Sequence, residues 1–300
     1  MLKISYIKTE NLKENCITDK ERPQFSFALE SDIPDTRLNK AKISVNDWNT
    51  TTDSQIGISY GGEKLKPFTT YLVNVVAEDN HSQKAEAQTT FETGRMGLPW
   101  QGAWISDPTY KFTRKKVSPE PMVFKKELVF EKPIKRVRVC STALGIYEIN
   151  INGKKIGKDY FTPGFTSYHN QMQYQIYDIT DNLRGNDILT ATVCGGWAVG
   201  KFTHSLRNRI FAKKQAFLCE IRVEYADGTT AVIGTDNTWL VTREGAVREA
   251  DFYDGEVYDA RVDLNESSWI DASIEKVRFN PVLRVTYGDL VRAHEEFKPI

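Results

Sequence analysis

Apolar and polar residues alternate with a period of two along most of this chain, and that alternation confines it to β-structure. Lys135-Arg136-Val137-Arg138-Val139-Cys140 is one such run, and Gln173-Tyr174-Gln175-Ile176-Tyr177-Asp178-Ile179 is another. A strand turns successive side chains to opposite faces, so each run has one face for a core and one for water. Asn152-Gly153 separates Tyr147-Glu148-Ile149-Asn150-Ile151 from Lys154-Lys155-Ile156-Gly157. Both turn residues tolerate positive φ, which the tight two-residue hairpin requires, so a hairpin is predicted there. A second hairpin is predicted around Ala226-Asp227-Gly228-Thr229, between Cys219-Glu220-Ile221-Arg222-Val223-Glu224-Tyr225 and Thr230-Ala231-Val232-Ile233. No stretch longer than ten residues carries a 3.6-residue apolar stripe. The expected class is all-β, built as sandwiches.

Three hundred residues suffice for two cores. A boundary is expected near 94–104, where Gly94-Arg95-Met96-Gly97-Leu98-Pro99-Trp100-Gln101-Gly102-Ala103-Trp104 gathers three glycines, a proline and two tryptophans. The indoles are expected to pack between domains. Residues 1–97, with strand-like Gln24-Phe25-Ser26-Phe27-Ala28-Leu29 and Tyr71-Leu72-Val73-Asn74-Val75-Val76-Ala77, suit a fibronectin type III-like or immunoglobulin-like sandwich. Residues 98–277 suit a larger, jelly-roll-like sandwich. Residues 278–300 read as a linker and the first strands of a further domain, cut short at its start.

Charge removes several functions. Forty basic residues balance forty acidic ones, without the basic excess of a general nucleic-acid binder. No apolar run approaches the roughly 20 residues that span a bilayer, so no membrane partner is expected. Met1-Leu2-Lys3-Ile4-Ser5-Tyr6 lacks an apolar leader core, which implies a cytoplasmic protein or a secreted one already processed. Cys16, Cys140, Cys194 and Cys219 form no CxxC pair, and the four histidines lack ligand spacing, so neither a metal nor another cofactor is expected. Cys140 and Cys219 lie in alternating runs and read as buried free thiols. HExxH, GxSxG, GxxxxGK[ST] and GxGxxG are all missing.

Collinear fragments from both domains carry a family likeness. They are Ser141-Thr142-Ala143-Leu144-Gly145-Ile146-Tyr147-Glu148-Ile149-Asn150-Ile151-Asn152-Gly153-Lys154-Lys155-Ile156-Gly157, then Thr162-Pro163-Gly164-Phe165-Thr166-Ser167-Tyr168, then Gln173 to Thr180, then Gly195-Gly196-Trp197-Ala198-Val199-Gly200, then Asp251-Phe252-Tyr253-Asp254-Gly255-Glu256-Val257-Tyr258-Asp259-Ala260-Arg261, with Arg22-Pro23-Gln24-Phe25 and Phe91-Glu92-Thr93-Gly94 in the first domain. In this order they resemble the N-terminal part of bacterial α-L-rhamnosidases, the family-78 glycoside hydrolases. The resemblance implies a parent enzyme that removes terminal α-L-rhamnose from glycosides with inversion. Such chemistry needs a carboxylic acid and a carboxylate roughly 6.5–9.5 Å apart, leaving room for water. The family's catalytic (α/α)6 barrel lies beyond these residues, so no catalytic residue is named. The implied role is a non-catalytic front end that docks on the C-terminal catalytic domains and helps shape the substrate site. A free-standing carbohydrate-binding or adhesion module is the alternative.

Two departures matter. The family's usual Asp-Gly-Trp-Tyr-Arg-Gly is Gly195-Gly196-Trp197-Ala198-Val199-Gly200 here, so no role of that Tyr-Arg pair carries over. Only nineteen residues separate Trp104 from Phe124, which leaves no room for the rhamnose-binding module that some members insert.

The candidate residues for sugar contact or domain docking are Trp197, Asp254, Glu256, Tyr258, Asp259 and Arg261. Trp197 is either a core indole in a glycine-rich bulge or a platform for a sugar face. The segment 251–261 sets four carboxylates against one arginine. It reads as a strand and turn at Asp254-Gly255 serving docking, as a sugar-contacting loop, or as a calcium loop, though its spacing fits no EF-hand. The basic stretch 125–138 reads as a solvated strand face.

Overall fold

The computed structural model describes residues 1–13, 16–111 and 118–299. Strands dominate, and the helical pieces among these residues are the single turn Gly196–Val199 and the 3-10 turn Thr180–Asn182. The all-β expectation holds. The chain divides into two compact units, Met1–Pro99 with Val285–Asp289, and Trp100–Arg284 with Leu290–Ile300.

The first unit is an immunoglobulin-like sandwich. Lys3–Thr9, Gln24–Glu30 and Ile58–Ser59 form one sheet. The other runs in the order Ile17–Thr18, Lys84–Thr93, Thr70–Asp79, Leu38–Val45, Trp48–Thr52. The alternation selects the core: Phe25 and Phe27, Ile43 and Val45, and Tyr71, Val73, Val75 and Ala77 point inward. Phe91 stacks on Tyr71 at 5.3 Å and meets Phe25 at 5.8 Å, which centres the core on aromatic contacts.

Asp19 ties the two sequence segments of this unit together. Its Oδ1 accepts the Met96 N–H at 2.9 Å and its Oδ2 accepts the Val285 N–H at 2.7 Å. Hydrogen bonds to a charged acceptor are worth about 1.5–3 kcal/mol each. Asp19→Ala is therefore expected to speed hydrogen exchange at both amides at least tenfold. Unchanged exchange at Val285 would count against the tie.

The second unit packs two larger sheets. One runs Lys154–Lys155, Ile146–Ile151, Asp187–Cys194, Met122–Leu128, Leu240–Thr242, Ile270–Asp271. The other runs Ser273–Ile274, Ile105–Ser106, Ala216–Tyr225, Ile134–Leu144, Gln171–Asp178, Val282–Val285, with Thr230–Gly234 also pairing to Ala216–Tyr225. Between them Phe217 stacks on Phe124 at 5.6 Å and meets Tyr147 at 5.8 Å and Trp239 at 6.1 Å. Of the stretch expected to lead onward, Val282–Val285 lies beside Gln171–Asp178 and Val291–Arg292 pairs with Asp159–Tyr160.

Both predicted hairpins form. Asn152 adopts φ 52° and Gly153 φ 78°, and the Asn152 side chain donates to Asp187 at 2.7 Å. In the second turn Asp227 accepts the Thr229 hydroxyl at 2.6 Å, the Thr229 N–H at 2.9 Å and Lys132 Nζ at 2.9 Å. The Thr229 hydroxyl and then Lys132 hold this carboxyl down at about 2, against an ordinary 3.8. A folded value below the unfolded one stabilises the turn above pH ~4 and ceases to do so as pH falls towards 2. Carboxyl NMR should show Asp227 titrating near 2, and Lys132→Met should raise that value. A titration near 4 in the parent chain would contradict the capped turn.

All four cysteines are free and buried. Ser141 sits opposite Cys219, so Cys140 and Cys219 point to opposite faces of their sheet. One reading needs correction. Arg138 is not on a solvated face but only 7% exposed. Of the indoles near the boundary, Trp100 sets its edge against Tyr174 at 5.5 Å, and Trp104 packs on the cluster around Tyr168 and Ala198.

Candidate functional site

A glycine knot at 195–200 builds the site. Gly196 has φ +51°, and a Cβ there would lie 2.7 Å from Ile146 Cγ2 and 2.8 Å from the Ile146 nitrogen. Glycine is required by both conformation and space. The tight turn that results presents Trp197 half-buried, with Phe252 at 4.4 Å and Phe165 at 6.2 Å.

The acidic segment is a hairpin beside this knot, Val247–Asp251 paired with Gly255–Tyr258. Asp251 is buried and fastens the two together. Its carboxylate accepts the Lys201 N–H at 2.6 Å, the Tyr253 N–H at 3.0 Å and the Ser118 hydroxyl. Gly200 passes so close that a Cβ on it would lie 2.6 Å from Asp251 Oδ2.

The charges of the hairpin are mostly closed internally. Asp254 pairs with Lys201 Nζ at 2.6 Å. Asp259 accepts two hydrogen bonds from the Arg261 guanidinium, each at 2.8 Å, which holds its carboxyl well below the usual carboxylate range. Glu256 is exposed, and no described residue donates to its carboxylate. Burial, together with Glu256 and Glu148, pushes the Cys194 thiol up to about 12, so that sulfur is not a thiolate at neutral pH. Tyr258 is 62% exposed.

The structure therefore brings Trp197 and the hairpin residues Asp254, Glu256 and Tyr258 to one region. Asp259 and Arg261 spend their charge on each other. Sequence reasoning missed the surrounding rings. Phe161 meets Phe252 at 5.3 Å, and Phe165 meets Phe202 at 5.2 Å and Tyr168 at 6.0 Å. Phe165 and Phe252 stood within the family-like fragments, but no spacing linked them. Among the described residues no three His, Cys, Asp or Glu side chains gather in a way that could hold a metal ion. Trp197 is flanked by Phe252 and Phe165, so it offers a sugar less flat area than a free platform would. The arrangement sets apolar rings near the exposed carboxylate of Glu256.

Known proteins match this architecture. The Alpha-L-rhamnosidase N-terminal domain family matches residues 132–298, and the Rha78A-like, N-terminal immunoglobulin domain family matches residues 4–97. An α-L-rhamnosidase of Streptomyces avermitilis is 39% identical over 131 residues, 43% of this chain and 12% of that protein. One from Formosa agariphila is 27% identical over 250 residues, 79% of this chain and 27% of that protein. The crystal structure of the native Aspergillus terreus α-L-rhamnosidase superposes with a TM-score of 0.83 at 21% identity, over 92% of this chain and 34% of that one, a likeness of fold. The Dictyoglumus thermophilum α-L-rhamnosidase gives a TM-score of 0.80 at 25% identity, over 94% of this chain and 35% of that one. The chain spans 12% to 32% of the length of the curated relatives it matches.

Proposed function

Since the chain belongs to the family of the α-L-rhamnosidase N-terminal domain, we propose that it is the non-catalytic front part of an inverting α-L-rhamnosidase, serving domain docking and the shaping of the substrate site. The whole enzyme removes terminal α-L-rhamnose from glycosides. The observation that carries this reading is the family match across residues 132–298, in a chain whose matched part covers 27% of a relative such as that of Formosa agariphila. The closed charges of the hairpin support the non-catalytic part of it. An inverting hydrolase needs one acid to protonate the leaving oxygen and one free carboxylate to activate water. Asp251, Asp254 and Asp259 are each engaged by protein donors, and the two exposed carboxylates, Glu249 and Glu256, stand opposite Val257 and Ala250 at alternate ladder positions and so face away from each other.

The test uses the protein encoded by the uninterrupted reading frame that contains this chain. Its reaction with an aryl α-L-rhamnoside is followed by proton NMR, before the released sugar can mutarotate. Inversion releases β-L-rhamnose first. Initial release of the α-anomer would contradict the inverting mechanism, and no release at all would contradict the enzyme.

A further inference from the structure

The longer relatives raise the question of what covers the rings around Trp197. Phe161, Phe252, Trp197, Phe165 and Phe202 follow one another at 5.3, 4.4, 6.2 and 5.2 Å between ring centroids. Three of them keep much of their surface in water: Phe161 is 44%, Phe165 49% and Phe252 37% exposed. Single exposed apolar side chains are ordinary, but contiguous aromatic area on one face marks an interaction site.

We infer that these rings form the docking face for the remaining polypeptide of the rhamnosidase, and that the partner surface is apolar with a Lys or Arg side chain opposite Glu256. The inference rests on the reading in the preceding subsection and names the surface and partner chemistry which that reading leaves open.

Three observations select a polypeptide as the occupant. First, the rings are tilted against each other by 33° to 57°, so the surface is a set of ring edges and clefts. Interdigitating side chains fill clefts of that kind, whereas a pyranose stacks on a flat open face. Second, the chain spans only 12% to 32% of its curated relatives, so a polypeptide at least about twice as long accompanies this part in them. A tethered partner docks at high effective concentration. Third, Glu256 is left open. Lys201 closes Asp254 and Arg261 closes Asp259, while Glu256 stands without a donor among the described residues. A cation placed there makes a charge-assisted bond and fixes the register of the two surfaces.

Hydrogen exchange tests this on the 300-residue chain and on the product of the uninterrupted reading frame. The amides of 252–258 are expected to exchange at least tenfold more slowly in the longer protein. Phe165→Ser with Phe252→Ser should erase that difference. Glu256→Lys, a change at an exposed strand position that leaves the short chain folded, should reduce it severalfold. Equal exchange in the two proteins overturns the inference, as does protection that survives both variants. A reading frame that closes soon after residue 300 overturns it too. Slower exchange in the short chain on adding millimolar L-rhamnose would assign the surface to sugar instead. Rhamnoside hydrolysis by the longer protein without protection of 252–258 defeats the docking face alone. Protection without hydrolysis defeats the enzyme reading alone.

Discussion

Replacing Phe217 with alanine is expected to lower the unfolding free energy of the second unit by about 3–5 kcal/mol. The size follows from its position. Phe217 is fully buried in the strand Ala216–Tyr225 and touches rings from three other strands or their flanks, Phe124, Tyr147 and Trp239. Those partners sit on strands fixed by ladder hydrogen bonds on either side, so they cannot collapse into the space a phenyl ring leaves. The lost transfer free energy and the cavity therefore add. Leu72 is the control: it lies on a strand of the first unit, half in water, and Leu72→Ala should cost well under 1 kcal/mol. Urea unfolding followed by tryptophan fluorescence reads both variants. A Phe217→Ala cost no larger than that of Leu72→Ala would mean that the two sheets do not pack about this ring.

Glu220→Ala should be the next most damaging change, costing about 2–4 kcal/mol. Glu220 lies on the outer face of the sheet and yet is fully buried. Its Oε1 accepts the Gly102 N–H at 3.1 Å and the Gln101 N–H at closer range. The covering segment lies backbone against backbone, since a Cβ on Gly234 would fall 2.7 Å from the Gly102 Cα. No other side chain fits between them. Alanine removes the acceptor of both N–H groups, and hydrogen bonds to a charged acceptor are worth about 1.5–3 kcal/mol each. Glu220→Gln keeps a carbonyl oxygen and should lose less than half as much. Exchange at the Gln101 and Gly102 amides, read beside the unfolding curve, locates the damage. A loss under about 1 kcal/mol with unchanged exchange there would show that the carboxylate does not hold the segment.

The same two residues mark how far the sequence can be read. Phe217 follows from alternation alone, because a period-two run assigns it to the face shared with Cys219 and Ile221. Glu220 lies on the opposite face of that run, and alternation assigns such a residue to water. Only the path of 100–103 across the sheet buries it, and no local pattern encodes that path. The hairpins were legible because Asn152-Gly153 and Asp227-Gly228 carry their turn chemistry in two adjacent residues. The ring cluster was not, because its members come from three separated segments with no common period. Family likeness picked out the glycine knot and the acidic hairpin. It did not reveal that Lys201 closes Asp254, a matter of side-chain geometry.

The claim that this chain recognises without catalysing is tested by assaying the purified 300-residue chain with an aryl α-L-rhamnoside beside the product of the uninterrupted reading frame. The short chain should release no aglycone above the buffer blank, while the long one turns over. Turnover by the short chain, abolished by a single substitution such as Glu256→Gln, would contradict the account.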